Sequence, residues 1–311
     1  MLDLRRVQVF HEVAARGSFS EAALSLDYTQ SVVSHHVAQL ERELGVTLFE
    51  RGRRPVRLTP AGERLQAHAG PLLGAARAAE EELRAVAGLE TGLLRVGAFL
   101  SACAGFVPAA IGAFEREHPA VEVRLVQEEP PAALPRLVAG ELDVAVVFQE
   151  QRAQAATDPR LERLKLADDP YRVVLPPGHR LVRRRALRLR DLRGERFAAP
   201  AARGGGLGYR AMLEALCAAE GFAPDFAYSV EDVPVARAFV AAGLCVAVMP
   251  DMTIAHPRPD VAVKPLPGLE PFRSVEVAWV RGRRAPGIAP MVAALREAAT
   301  RGLGPAGARS T

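Results

Sequence analysis

Residues 17–62 read GSFSEAALSLDYTQSVVSHHVAQLERELGVTLFERGRRPVRLTPAG, and this stretch determines the N-terminal fold. Ser18 precedes Glu21 by three residues, a spacing typical of a capping box that starts a helix. Thr29 is the predicted N-cap of the next helix, which Gly45 ends. The apolar stripe of that helix comprises Val33, Val37, Leu40 and Leu44. A preceding amphipathic helix completes a three-helix unit.

The side chains on the face of the third helix opposite this stripe are short and polar. Hydroxyl and imidazole groups let a helix approach the floor of the major groove, where they offer donors and acceptors to base edges. Gln30, near the start of the helix, can pair with adenine. An ordinary solvated helix face would be richer in Glu and Lys. The predicted DNA contacts on this helix are Thr29, Gln30, Ser31, Ser34 and His35.

A basic hairpin is predicted after the third helix. Two short strands, Leu48–Arg51 and Val56–Leu58, flank a tight turn, and arginines there suit DNA phosphates and the minor groove. The predicted contacts are Arg51, Arg53 and Arg54. A helical bundle without affinity for DNA is the alternative, but cap, turn, stripe and basic wing agree with one another. The sequence therefore predicts a winged helix-turn-helix DNA-binding domain over residues 1–59.

The same residues resemble the DNA-binding domain of the LysR-type transcriptional regulators. Two positions depart from the family pattern. Ser31 stands where a proline is common, and His35 stands where an arginine or lysine often follows the serine. We therefore expect a different base preference and one weaker phosphate contact. The matching positions are Ala22, Ala23, Leu40, Glu41, Leu44, Gly45, Leu48, Phe49, Arg51, Leu58, Thr59, Ala61 and Gly62.

A long helix is predicted over residues 60–88. Thr59 followed by Pro60 is a good helix start, and the following stretch is rich in Ala, Leu and Glu. A helix of this length spans roughly 40 Å and needs a partner to bury its apolar side chains. These side chains are Leu65, Leu72, Leu73, Leu83 and Val86. The resemblance implies that this linker helix is the contact of a homodimer.

The remaining chain alternates strands and helices, which predicts a multi-domain α/β protein with a parallel sheet and two lobes over residues 93–300. Lobe I is expected over about 93–165 and 262–300, and lobe II over about 166–261. Segments such as EHPAVEVRL, LVAGELDVAVV and FVAAGLCVAVMP are similar to the two-lobed, periplasmic-binding-protein-like effector domain of the LysR-type family. The resemblance thus extends over nearly the whole chain.

Ligands of open α/β sheets bind at the carboxyl ends of strands. The loops that qualify are Phe99–Ala104, Glu128–Pro131, Ala201–Gly206 and Ser229–Pro234. The resemblance implies a small, anionic effector that meets Ser101 in the first loop. Arg203 is a candidate counter-charge, although an exposed, solvated arginine explains it equally well. The predicted effector contacts are Ser101, Ala102, Cys103, Glu128, Arg203, Glu231 and Asp232.

Composition excludes several other classes. The sequence pI is about 9.3, which is compatible with a polyanionic partner. We find no apolar run suited to a signal peptide or a membrane span, so we expect a cytoplasmic protein. Three separated cysteines predict no disulfide framework, and the histidines show no ligand spacing. We expect no metal, no cofactor and no catalytic residue.

Two other functions remain alternatives. A solute-binding receptor would share the C-terminal architecture, but the winged N-terminal region argues against it. A small-molecule enzyme is the other possibility for a two-lobed cleft, although no catalytic constellation supports it. The sequence favours a regulator whose effector alters lobe closure and promoter bending. Its expected partners are double-stranded promoter DNA, the effector and other copies of the chain in a homodimer and homotetramer, with RNA polymerase as a further candidate.

Overall fold

The structure, a computed structural model, describes residues 2–50, 55–86, 92–150, 158–185, 187–201, 206–254, 260–266, 272–283, 285 and 287–302. Its α-helices are α1 (Leu4–Arg16), α2 (Phe19–Ser25), α3 (Gln30–Leu44), α4 (Pro60–Val86), α5 (Leu100–Ala104), α6 (Val107–Glu117), α7 (Pro130–Val138), α8 (Gly206–Ala219), α9 (Val233–Ala241), α10 (Asp251–Ile254) and α11 (Ile288–Gly302). Its strands are β1 (Gly92–Ala98), β2 (Val121–Gln127), β3 (Val144–Glu150), β4 (Leu161–Leu175), β5 (Arg196–Ala199), β6 (Asp225–Ser229), β7 (Ala247–Pro250), β8 (Ala262–Pro265) and β9 (Phe272–Val280).

The predicted helix starts and stops of the N-terminal unit are confirmed. Ser18 Oγ accepts a hydrogen bond from Glu21 N at 3.3 Å, which is one half of the predicted capping box. Thr29 Oγ1 likewise accepts from Val32 N at the start of α3. Gly45 follows α3 with φ of +69°, a left-handed conformation that ends a helix and favours glycine.

The apolar stripe of α3 packs as predicted for most of its length. Val33, Val37 and Leu40 are buried in the core of the N-terminal unit. Leu44 is 38% exposed, so the stripe is shorter than the sequence predicts, since the helix ends at that turn. In the described part of the predicted hairpin, Phe49 and Leu58 form an antiparallel bridge and Glu50 N donates to Arg57 O at 2.9 Å; residues 51–54 lie outside the described residues.

Helix α4 follows Thr59, whose Oγ1 accepts from Gly62 N at 3.1 Å. The helix continues through Pro71. Its apolar side chains divide into two sets. Leu65 and Leu73 pack partly buried against the core of the DNA-binding unit. Leu72 and Leu83 are 40% and 70% exposed in the single chain.

The C-terminal region is built on a mixed sheet, with strand order β2-β1-β3-β9-β4-β7 and β8 paired with β4. The parallel pairing predicted from the alternating pattern holds for β1 with β2 and β3, and for β5 with β6. In contrast, β9 runs antiparallel to β3 and β4, and both β7 and β8 run antiparallel to β4. The fold is therefore a mixed α/β fold rather than a purely parallel one.

Two lobes share the long strand β4. Its residues 161–170 pair with β9 in lobe I, and its residues 172–175 pair with β8 in lobe II. Lobe I also contains β1, β2, β3 and the helices α6, α7 and α11, whereas lobe II contains β5, β6, β7 and the helices α8 and α9. The segment from residue 262 was expected to return to lobe I, but β8 belongs to lobe II, where Leu266 also packs in the core.

Among the described helices, none is both long and apolar enough to cross a membrane.

Candidate DNA-binding face and ligand cleft

The polar face of α3 is open to solvent. Thr29, Gln30, Ser31, Ser34 and His35 are all exposed, and they lie on successive turns at one end of the helix. Ser20 Oγ of α2 donates to Gln30 Oε1 at 3.3 Å, and the hydroxyls of Thr29 and Ser31 lie 2.8 Å apart. The predicted base-reading side chains thus form one accessible surface.

This face and the base of the wing border the same groove. An open groove of about 740 Å³ is lined by Ser20 of α2, by Gln30 and Ser34 of α3, and by Pro55 and Val56 of the hairpin. The predicted wing contacts Arg51, Arg53 and Arg54 lie outside the described residues. The described flanks of the hairpin, Phe49, Glu50, Pro55 and Val56, line this groove together with residues of α3.

A second cavity, of about 330 Å³, lies in the cleft between the lobes. The parallel strands β1, β2 and β3 end at this cleft, as do β5 and β6, which explains why loops distant in sequence meet there. Three of the four predicted loops supply lining residues, among them Ser101, Glu129 and Glu231. The remaining loop is described only at its two ends, Ala201 and Gly206.

Arg273, at the start of β9, is the central cation of the cleft. It is buried, its Nε donates to Asp169 Oδ2 at 2.8 Å, and its Nη2 donates to Ser101 Oγ at 2.5 Å. Its guanidinium carbon lies 4.8 Å from the ring centre of Phe99 and 4.7 Å from that of Phe148. An ion pair and two aromatic faces therefore fix Arg273 in place.

Glu150 and Tyr171 form the adjoining wall. Glu150 faces Arg273 in the register of β3 with β9, and Tyr171 Oη donates to Glu150 Oε1 at 2.7 Å. Burial raises the pKa of the Glu150 carboxyl. Burial also raises the pKa of Tyr171 well above its ordinary value, so this hydroxyl remains a donor. Tyr209 lines the same cavity and donates to the carbonyl oxygen of Val248 at 2.6 Å.

The predicted effector residues divide between the cavity and its surroundings. Ser101, Glu231 and Asp232 line the cavity, and Arg203 lies outside the described residues. Ala102 is fully buried in the core of lobe I, because the first loop forms helix α5 and turns this side chain inward.

Cys103 and Glu128 are not among the residues that line the cavity. The Sγ atom of Cys103 lies 3.4 Å from Ala98 O, and burial raises the pKa of this thiol. Glu128 pairs with Arg136 of α7. Both side chains were expected to contact the effector, but the described geometry places neither of them at the cavity.

The sequence prediction did not include Arg273, Glu150, Tyr171, Tyr209 or Glu129. A local signal existed for two of them. Glu150 is the last residue of the apolar strand β3, and Arg273 stands at the start of β9, so both are charged residues at strand ends. Their pairing across strands, however, depends on the register of β3 with β9 and has no counterpart in the linear sequence.

A chain of polar contacts connects the DNA-binding unit with the edge of the cleft. His11 Nε2 of α1 lies 3.0 Å from Glu141 Oε1, and Arg136 Nε donates to Glu141 Oε2 at 2.8 Å. Arg136 also donates to Glu128, whose neighbour Glu129 lines the cavity. The path thus leads from α1 through the region around α7 to the ligand cleft.

Helix α4 touches lobe I at glycines. A Cβ atom on Gly70 would lie 2.4 Å from the Cβ atom of Ala139, and one on Gly74 would lie 2.9 Å from the Cα atom of Gly140. Arg77 Nη2 adds a hydrogen bond to Gly140 O at 2.6 Å. Backbone therefore meets backbone at this contact, with no room for a side chain at Gly70 or Gly74.

Two curated relatives and a solved structure align with most of the chain. The HTH-type transcriptional regulator ShiR of Corynebacterium glutamicum (strain R) is 30% identical over 282 residues, which cover 90% of this chain and 94% of ShiR. The transcriptional dual regulator GltC of Bacillus subtilis (strain 168) is 30% identical over 263 residues, which cover 85% of each chain. A full-length OxyR variant from Pseudomonas aeruginosa superimposes with a TM-score of 0.72 at 24% identity, covering 97% of this chain and 96% of its own.

Family comparisons agree with both halves of the fold. Residues 4–63 match the bacterial regulatory helix-turn-helix proteins of the lysR family. Residues 87–300 match the LysR substrate binding domain. Members of this family are transcriptional regulators and not enzymes. The chain therefore belongs to the LysR family of DNA-binding, effector-responsive transcriptional regulators.

Proposed function

We propose that this regulator reads promoter DNA with the exposed polar face of α3 and holds the flanking phosphates with the arginines of its wing. The observation that carries this proposal is the groove that the polar face of α3 shares with the base of the hairpin. Gln30, Ser34 and His35 are the proposed base and backbone contacts of α3, together with Thr29 and Ser31 near its start. Arg51, Arg53 and Arg54 are the proposed phosphate contacts.

The cleft between the lobes is the proposed effector site. Its strongest support is the convergence of strand ends from both lobes on one small cavity lined by Ser101, Glu231 and Asp232. Ser101 is the central residue of this proposal, because its hydroxyl touches the buried Arg273 and also borders the cavity. A ligand there contacts both lobes, so its binding shifts the equilibrium between open and closed arrangements.

The proposed signal route is the set of contacts between α1, α7 and the cleft edge. Closure of the lobes moves residues next to Glu128, and the pairs of Arg136 with Glu128 and of His11 with Glu141 carry that movement toward α1. A ligand can change DNA affinity by no more than the difference between its binding free energies for the open and closed arrangements. For coupled sites this coupling free energy is typically about 1–3 kcal/mol.

The proposed assembly is a homodimer through α4 that pairs into a homotetramer. Leu72 and Leu83 support this proposal, since both are exposed apolar side chains on the linker helix. Two DNA-binding units are then placed on neighbouring major grooves of a promoter, where a contact with RNA polymerase is a further part of the proposal. A cytoplasmic location is also part of the proposal, because the protein must reach promoter DNA.

The test is to sequence genomic fragments retained by the purified full-length protein and to compare the wild type with Ser34→Ala. Enrichment of a shared sequence near a small number of operons, lost in the variant, is the expected result. Uniform retention of all fragments, unchanged in the variant, contradicts base reading by α3.

The effector site is tested separately with Ser101→Ala. This variant is expected to retain the fragments of the wild type but to lose at least tenfold in ligand response, about 1.4 kcal/mol of coupling. The ligand for this assay is selected among metabolites of the operons found by sequencing. An unchanged response in the variant would move the effector site out of the cleft.

A further inference from the structure

The charged residues in the described wall of the cleft cavity are predominantly acidic. Its only described lining cation is Arg273, and that charge is already balanced, since Arg273 Nε lies 2.8 Å from Asp169 Oδ2 in a buried ion pair. The acidic lining residues are Glu129, Glu150, Glu231 and Asp232. Among the described residues the cavity therefore carries a negative potential, the reverse of what attracts an anion. This negative potential argues against the anionic effector that the sequence resemblance implied.

Glu150 has one carboxylate oxygen that no described group satisfies. Oε1 accepts from Tyr171 Oη, whereas Oε2 is buried and has no hydrogen-bond partner in the described part of the chain. Glu150 is 8% exposed and borders the cavity directly. A buried carboxylate oxygen without a donor is destabilising, and a ligand that donates to it removes that penalty.

Aromatic rings beside Glu150 complete the features of a site for a cation. The rings of Tyr171 and Tyr209 lie 5.9 Å apart, and both line the cavity. Aromatic faces attract ammonium groups, most strongly where water is excluded. Val230 and Met249 add apolar surface to the same wall. The volume of about 330 Å³ restricts the ligand to a compact molecule.

We propose that the effector is a small amine whose protonated ammonium group donates a hydrogen bond to Glu150 Oε2. The proposal rests on the proposed role of the cleft as the effector site and names the chemical class of its ligand. The ammonium group lies between the Glu150 carboxylate and the tyrosine rings, and the apolar body of the ligand packs on Val230 and Met249. A carboxylate in the same position meets the Glu150 charge instead.

The distribution of the acidic residues links a cation to lobe closure. Glu129 follows a strand of lobe I, whereas Glu231 and Asp232 follow a strand of lobe II. Like charges on facing walls repel one another, and they do so more strongly as the cleft narrows. A bound ammonium group reduces this repulsion, so the closed arrangement becomes more favourable when the amine is present.

The test uses three probes of matched size on the full-length protein, namely benzylamine, benzyl alcohol and benzoate. Calorimetry is expected to show benzylamine binding at least about tenfold more tightly than either of the others, as a charge-assisted hydrogen bond predicts. Benzoate binding more tightly than benzylamine overturns the proposal. Absence of benzylamine binding at millimolar concentration overturns it as well.

Glu150→Gln is the central variant, because the amide keeps the size and the acceptor for Tyr171 but removes the charge. We expect it to abolish the preference for benzylamine over benzyl alcohol. Glu122→Gln is the matched control, since Glu122 is an exposed carboxylate on β2 that does not line the cavity, and it is expected to leave the preference unchanged. If Glu150→Gln fails to fold, the combined change Glu231→Gln and Asp232→Asn is expected to weaken benzylamine binding at low salt, and no weakening there overturns the proposal.

The pH dependence provides an independent readout. Burial raises the pKa of Glu150, so acidification is expected to protonate it and to weaken benzylamine binding to the wild type. The described groups that face Glu150 are Tyr171 and Tyr209, whose raised pKa values keep them protonated, and Arg273 with its partner Asp169. Benzylamine affinity that rises in acid, or that depends on pH equally in Glu150→Gln, contradicts the assignment.

A DNA-binding assay separates the ligand class from the proposed function. Benzylamine that binds through Glu150 and alters retention of the sequenced promoter fragments supports both. Binding through Glu150 without any effect on those fragments supports the amine site and contradicts the regulatory role of the cleft. An anionic metabolite that alters retention in both the wild type and Glu150→Gln supports the regulatory role and overturns the amine.

Discussion

The DNA-binding face and the effector cleft solve opposite physical problems. The predicted base-reading residues lie within one short segment, from Thr29 to His35, and Thr29, Gln30, Ser31, Ser34 and His35 are all exposed. The central polar groups of the cleft, Ser101, Glu150, Asp169 and Arg273, are buried and come from distant parts of the chain, since Ser101 and Arg273 are 172 positions apart. The first surface keeps its side chains accessible to DNA, whereas Asp169 and Arg273 in the second form a buried ion pair.

This difference determines what a substitution does. Removal of an exposed side chain of α3, such as that of Ser34, leaves the fold intact and alters binding alone, because this side chain does not belong to the core. Removal of one member of the buried pair of Arg273 and Asp169 leaves the other charge without compensation, so the domain itself is destabilised. Measurements of stability and of DNA binding are therefore expected to distinguish substitutions in the two regions.

The largest expected effect is that of Arg273→Ala. Removing the guanidinium leaves Asp169 buried and uncompensated, which typically costs about 3–5 kcal/mol in the free energy of unfolding. Chemical denaturation of the full-length protein measures it. Arg124→Ala is the matched control, because Arg124 pairs with Glu122 at the surface, where such pairs contribute about 0–1 kcal/mol. Equal losses in the two variants contradict the buried ion pair as a source of stability.

A substitution in the wing is expected to alter binding without altering stability. Arg53→Ala should weaken affinity for all DNA sequences and lower the salt slope of binding by about 1, since one phosphate contact is lost. Fluorescence anisotropy at several salt concentrations measures the slope. Arg190→Ala, an exposed arginine of lobe II, is the control and should leave the slope unchanged. An unchanged slope in Arg53→Ala removes this residue from the DNA contacts.

Two serines of the N-terminal unit sharpen the comparison within one domain. Ser18→Ala removes the N-cap of α2 and is expected to cost about 1 kcal/mol in unfolding free energy. Ser34→Ala removes an exposed hydroxyl and should leave stability unchanged while it weakens DNA binding. Thermal unfolding and anisotropy, measured on both variants, test the contrast. A reversed pattern would exchange the roles assigned to the two residues.

The smallest expected effect concerns the thiols. Burial raises the pKa of Cys103 and of Cys245, and it raises the pKa of Cys217 to about 12. A thiol with a raised pKa is mostly protonated at neutral pH and reacts slowly. Mass spectrometry after brief alkylation should find the folded protein unlabelled and the denatured protein labelled three times. Rapid labelling of Cys103 in the folded protein contradicts this expectation.

Local signals were sufficient for the N-terminal fold. The Ser18 and Thr29 caps, the Gly45 stop and the spacing of Val33, Val37 and Leu40 all act within a few residues, so the sequence predicts them directly. The carboxyl ends of strands likewise placed the cleft near Ser101. Such features depend on neighbours in the chain or on general rules of sheet topology.

Non-local features were not predictable in the same way. Residues 161–170 of β4 have no clear alternation of apolar and polar residues, and their pairing with β9 stabilises them as strand. Arg273 meets Asp169 and Glu150 only because the registers of β9 with β4 and of β9 with β3 bring the three together. The interior of the cleft is therefore a consequence of strand register, which no short stretch of sequence contains.

The glycine contact between α4 and lobe I has a mechanical consequence. Since backbone touches backbone at Gly74 and Gly140, a shift of lobe I cannot be absorbed by side-chain rotation. Helix α4 then acts as a lever, and at about 1.5 Å per residue its arm from Gly74 to Pro60 is about 21 Å long. A tilt of about 5° displaces the Pro60 end by about 2 Å, and a displacement of that size decides whether a hydrogen bond to a base exists.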